Sequence, residues 1–106
     1  MAWLLLVLAG LFEIGMALSL KASDGFTNVR ASVTFGVFAV LSFGLLATAL
    51  RDLPVGTAYA VWTGIGAAGT ALLGVAVLGE SASALRLASI VLIVAGVVGL
   101  RVASPA

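Results

Sequence analysis

Two stretches of this chain, Ala31 to Leu50 and Leu53 to Gly79, contain no charged residue. Each is at least as long as the roughly 20 apolar residues a helix needs to cross the hydrocarbon of a bilayer. Ala2 to Leu20 is similar except for Glu13. Leu87 to Leu100 is shorter, but Arg86 and Arg101 at its ends can snorkel to the membrane surface and extend it. The pattern predicts an all-α membrane protein: one four-helix transmembrane domain over 1–106, with spans at about 2–20, 31–50, 54–78 and 83–103. Composition closes off the other classes. Of the 106 residues 63% are hydrophobic and 8% charged, against about 25% charged in soluble domains, so a soluble enzyme is excluded. A net charge of +1 is too small to hold nucleic acid by counterion release. With neither Cys nor His, and four scattered carboxylates, no metal site, disulfide or cofactor is expected.

The first apolar run carries Glu13 and no Lys or Arg before it, unlike a signal peptide, and is read as a retained helix. Lys21 to Arg30, Arg51 to Pro54 and Gly79 to Ser83 are short connections, with Asp24-Gly25 as a tight turn and Pro54 in the first turn of the third helix. Orientation follows the Lys/Arg balance of short loops. Arg51 and Arg101 share a side with both termini, and Lys21, Arg30 and Arg86 face the other. An excess of one is nearly even, so copies inserting both ways round and pairing as an antiparallel, dual-topology homodimer are one expectation. A fixed orientation set by other signals is the alternative.

Glu13 is the charge well inside a span. A carboxylate there costs several kcal/mol unless protonated, paired or wet, which makes it a functional candidate. Removed from water, it would carry a proton near neutral pH and release it when a cation takes its place; a permanently protonated Glu bonded to a neighbouring helix is the plainer reading. Small residues, Gly10 among them, flank it at helical spacing, with Met16 one turn below. Ser42 on the second helix could donate a hydrogen bond to Glu13 or bond back to its own helix. Tyr59 and Trp62 share a face of the third helix with Gly66; they suit a planar or quaternary cation and equally an interfacial aromatic belt. The glycines of Gly64-Ile65-Gly66 with Gly69 and Gly74 allow bending or close packing. Ala95-Gly96 and Gly99 in the fourth helix look like a packing or dimerisation surface.

The four spans, Glu13, and the run Leu53-Pro54-Val55-Gly56-Thr57-Ala58-Tyr59-Ala60-Val61-Trp62-Thr63-Gly64-Ile65-Gly66-Ala67 resemble the small multidrug resistance family. Thr57, Thr63, the turn Leu20 to Thr27, Gly79-Glu80-Ser81 and Leu85-Arg86-Leu87-Ala88-Ser89 are similar to its guanidinium-exporter subtype. The resemblance implies a multi-pass exporter in the inner (plasma) membrane of a prokaryote, trading guanidinium-class cations for protons across an antiparallel homodimer in the lipid bilayer. It implies that two Glu13 side chains share one site, that Ser42 and Trp62 orient the carboxylate, that Tyr59 lines the site and that Gly10 and Met16 flank it. It implies no enzyme activity and no cofactor. Two positions depart from the subtype. Met16 stands where a Trp is usual, which removes a hydrogen-bond donor and loosens the frame. Ser89 stands where Gly is frequent in the dimer motif. Export of quaternary ammonium and other hydrophobic cations is therefore the second reading, and a non-transporting scaffold or heterodimer partner the third.

Overall fold

A computed structural model describes residues 1–104 and contains four helices: α1 (Ala2–Ala22), α2 (Val29–Ala49), α3 (Val55–Ala76) and α4 (Ala84–Ala103). Each has 20 to 22 residues, about 30 Å at 1.5 Å per residue, and all four are apolar enough to cross a membrane. The chain is an all-α membrane protein, as its charge-free runs predict.

The boundaries have local causes. Asn28 accepts from the Ala31 backbone N–H at 3.0 Å and starts α2. Ser83 accepts from the Arg86 N–H at 3.2 Å and starts α4. Side-chain capping of this kind satisfies donors that the helix itself leaves free. The fourth span is thus a full-length helix, with Arg86 in its first turn and Arg101 in its last. Between α1 and α2 the chain reverses through three consecutive residues in the left-handed region, Asp24, Gly25 and Phe26. The fully buried Ser23 holds this turn by donating to the Leu20 carbonyl at 2.7 Å and accepting from the Phe26 N–H at 3.1 Å. Pro54 stands at the N-cap of α3, one residue before its expected place in the first turn. The Ala58 N–H donates to its carbonyl, and the missing proline N–H costs no ladder bond there either.

Packing is uneven along the bundle. Leu6, Ala9, Leu46, Ala49, Leu53, Ala58, Val61 and Trp62 form a buried cluster where the first half of α1 meets the end of α2 and the start of α3. From Glu13 onward cavities open between α1 and α3. In lipid such contacts depend on close van der Waals fit more than on hydrophobic transfer, which favours small residues. Gly10 meets Ile65, Gly15 meets Phe38, Gly69 meets Ile14 and Gly64 meets Val97. Gly64, Gly66, Gly69 and Gly74 of α3 therefore serve close contacts along one continuous helix. α4 packs on α3 and leaves Val91, Leu92 and Val98 exposed. The four helices extend over 43 × 34 × 17 Å, so the bundle is flattened along one direction.

Candidate functional site

Glu13 projects from the middle of α1 toward Gly66 of α3, where a Cβ would collide with the carboxylate. Gly66 is the residue that lets the acidic group lie flat against the neighbouring helix. Its Oε1 is buried and makes no hydrogen bond among the described residues. The group faces a cavity of about 400 Å³. Glu13 and Ala17 form its α1 wall, and Thr63, Ala67, Thr70 and Ala71 line the α3 wall with Gly66. Glu80 and Arg86 close one end. Except for the hydroxyls of Thr63 and Thr70, the α3 wall is Ala and Gly, so a guest can approach the carboxylate closely.

Behind this wall lies a polar chain across three helices. Trp62 Nε1 donates to Ser42 Oγ at 2.9 Å, and Ser42 Oγ donates to the Ala9 carbonyl at 2.6 Å. Ala9 is one helical turn before Glu13, and its carbonyl is also the acceptor that helix geometry assigns to the Glu13 backbone N–H. Ser42 therefore fixes the turn that carries Glu13 through the backbone. The expected bond from Ser42 to the Glu13 carboxylate is not formed, because the Ser42 proton is already committed to Ala9. Neither does Ser42 bond back to its own helix, as Ser32, Thr34 and Thr48 do. Tyr59 and Phe43 stack near Trp62, with ring centroids at 5.5 and 5.3 Å. Trp62 is buried in the bundle and is no belt residue, whereas Tyr59 stays exposed. Trp3 lies near the start of α1, with the Arg101 guanidinium 4.7 Å from its ring centroid.

Of the binding and site-lining residues assigned from sequence, Glu13 lines the cavity within one chain, beside Thr63 and Gly66, which the sequence marked only as a subtype residue and as a face-sharing glycine. Gly10 is buried against Ile65, Met16 is half-buried on α1, and Ser42, Tyr59 and Trp62 form the layer behind. Thr70, Glu80 and Arg86 line the cavity but were not candidates. Thr70 had a signal, since it falls four residues from both Gly66 and Gly74 on one helix face. Glu80 and Arg86 stand in the motifs that resemble the subtype, but charges beside a loop usually face water, and nothing in the pattern placed them at the site.

The sequence profile of the family "Small Multidrug Resistance protein" matches residues 1–93. The chain belongs to the small multidrug resistance family. Three relatives bear the name "Guanidinium exporter": those of Yersinia pseudotuberculosis, 55% identical over 98% of this chain and 100% of that protein, of Escherichia coli K12, 51% over 98% and 99%, and of Citrobacter freundii, 50% over 98% and 99%.

In this family member the Trp62–Ser42–Ala9 chain should be felt as stability. Ser42→Ala leaves the buried Trp62 N–H without an acceptor and is expected to cost about 1 to 2 kcal/mol. Denaturant unfolding in detergent would measure it. A loss below about 0.3 kcal/mol would show that Trp62 finds another acceptor at no cost.

Proposed function

We propose that this chain exports guanidinium-class cations from the cell in exchange for protons, by alternating access at a site built on Glu13. One observation carries the reading: the carboxylate of Glu13 has a buried oxygen that makes no hydrogen bond among the described residues, and it faces a cavity with small, partly hydroxylated walls. A guanidinium ion presents planar N–H donors that match a carboxylate fork. The Thr63 and Thr70 oxygens are further acceptors along the same wall. The relatives named as guanidinium exporters support the same substrate class, and four apolar helices support a multi-pass place in the inner membrane.

Exchange requires only that a proton and a cation compete for Glu13 and that loaded protein switches sides while empty protein does not. A proton gradient then drives cation efflux. The long walls of the Glu13 cavity come from α1 and α3, and a second copy inserted the other way round supplies a further wall. Two Glu13 side chains would then share the site, with Tyr59 and Met16 on its border. The chain acts in this reading as a transporter and not as an enzyme.

Reconstituted vesicles provide the test. An imposed guanidinium gradient should move protons in the opposite direction, read by a pH-sensitive dye. Phenylguanidinium should substitute for guanidinium, and tetrapropylammonium should drive several-fold less flux, because it offers no N–H to the carboxylates and hydroxyls. Flux with tetrapropylammonium equal to that with guanidinium would move the assignment to polyspecific cation export, for which Met16 supplies the looser frame. No cation-dependent proton movement would leave the scaffold reading.

A further inference from the structure

The cavity that begins at Glu13 ends at a second carboxylate. Gly79 adopts a left-handed conformation after α3 and turns the chain back, so that the Glu80 N–H donates to the Gly74 carbonyl at 3.0 Å. The Glu80 carboxylate then lies on Gly74, where a Cβ would collide with it. This repeats the seating of Glu13 on Gly66. Arg86 reaches across from the first turn of α4 and forms an ion pair with Glu80, and both side chains line the Glu13 cavity. The Nε of Arg86 is buried and makes no hydrogen bond among the described residues, so its guanidinium is engaged on one edge.

Gly66 and Gly74 are two steps of four residues apart on α3, about 12 Å along the axis. Thr70 lies midway, with a buried hydroxyl that makes no hydrogen bond among the described residues. One small cation cannot touch Glu13 and Glu80 together over that distance. It can pass from one to the other by way of Thr70. The group resting on Glu80 is itself a guanidinium, and it offers the same planar donors that an incoming cation would offer.

We propose that Glu80 is an outer cation station on the path to Glu13, held at rest by the side chain of Arg86 and yielded to a guanidinium-class cation that competes for the same carboxylate. The proposal rests on the exchange reading above. Because the pair is about one-third exposed, its strength is that of a surface ion pair, enough to keep the carboxylate oriented and weak enough to exchange.

The sign of two substitutions tests it. In vesicles, Glu80→Gln should raise the guanidinium concentration for half-maximal proton movement about threefold to fivefold, and Arg86→Gln should lower it by a similar factor, with maximal rates within about twofold of the unsubstituted protein. A pair that only braces the loop is broken equally from either side and shifts both variants in the same direction. Equal signs, or shifts below about twofold in both, overturn the proposal. If Arg86→Gln does not reconstitute, Arg86→Lys serves in its place. It keeps the charge and loses the planar fork, and should lower half-saturation to a smaller degree; an unchanged or raised value overturns the proposal. Glu80→Asp should recover most of the loss seen with Gln. If the unsubstituted protein shows no guanidinium-driven proton movement, the exchange reading itself falls. If it does and the signs agree, the outer station alone falls.

Discussion

Glu13→Gln is expected to reduce guanidinium-driven proton movement to the background of protein-free vesicles, a loss of roughly two orders of magnitude or more, because exchange needs a group that gives up and regains a proton. The substitution is close to isosteric. An amide can lie on Gly66 in the same place as the carboxylate, and the Trp62–Ser42–Ala9 chain behind it does not touch the altered atoms. The variant should therefore fold, which detergent gel filtration and unfolding would verify. The charge that binds the cation and the proton that balances its departure are removed together. Glu13→Asp separates the two. It keeps an ionisable group but withdraws it by one methylene from Gly66, and should retain proton coupling at a lower rate. Sustained proton movement by Glu13→Gln would place the coupling group elsewhere and end the proposed mechanism. Downhill guanidinium flux without proton movement would mean that Glu13 couples but does not bind.

The parts of the molecule that follow one-dimensional rules were visible in the sequence. Four spans follow from where nine charges fall, and Glu13 stands out because an acidic residue amid apolar neighbours has a cost that needs a reason. Even the short fourth span resolves, since Ser83 caps it and two arginines lie within its end turns. Side-chain partners are a different matter. The acceptor chosen by Ser42 is a backbone carbonyl on another helix, and every residue has a carbonyl, so no residue pattern could identify Ala9. Trp62 suits a belt or a site by its spacing, and its burial inside the bundle speaks only against the belt. Arg86 reads in sequence as the end of a span and Glu80 as part of a turn motif, and only Gly79, by turning the chain back onto Gly74, brings the two together at the cavity. What escapes sequence reading here is the return of a loop onto a helix, which depends on one left-handed residue and not on periodicity.

Gly66→Ala should also suppress exchange, by roughly tenfold or more, while leaving the protein folded. A Cβ at this position occupies the space of the Glu13 carboxylate. The carboxylate is the end of a flexible side chain and can swing aside, so the collision is relieved by moving the functional group and not by separating helices. Displacement of a reacting group by about 1 Å is enough to cost large factors in rate. Ala is also the better helix former by about 1 kcal/mol, so unfolding in detergent should show little loss in the midpoint. Gly69→Ala is the contrast, one turn along the same helix. Its Cβ meets the Ile14 side chain, which presses on packing between α1 and α3 and leaves the carboxylate seat intact. That variant should lose stability while keeping the larger share of its exchange. The two results together separate a glycine needed for the reach of Glu13 from one needed for the approach of two helices. If Gly66→Ala transports like the unsubstituted protein, the carboxylate does not act from its position on α3, and the cavity described there is not the path of the cation.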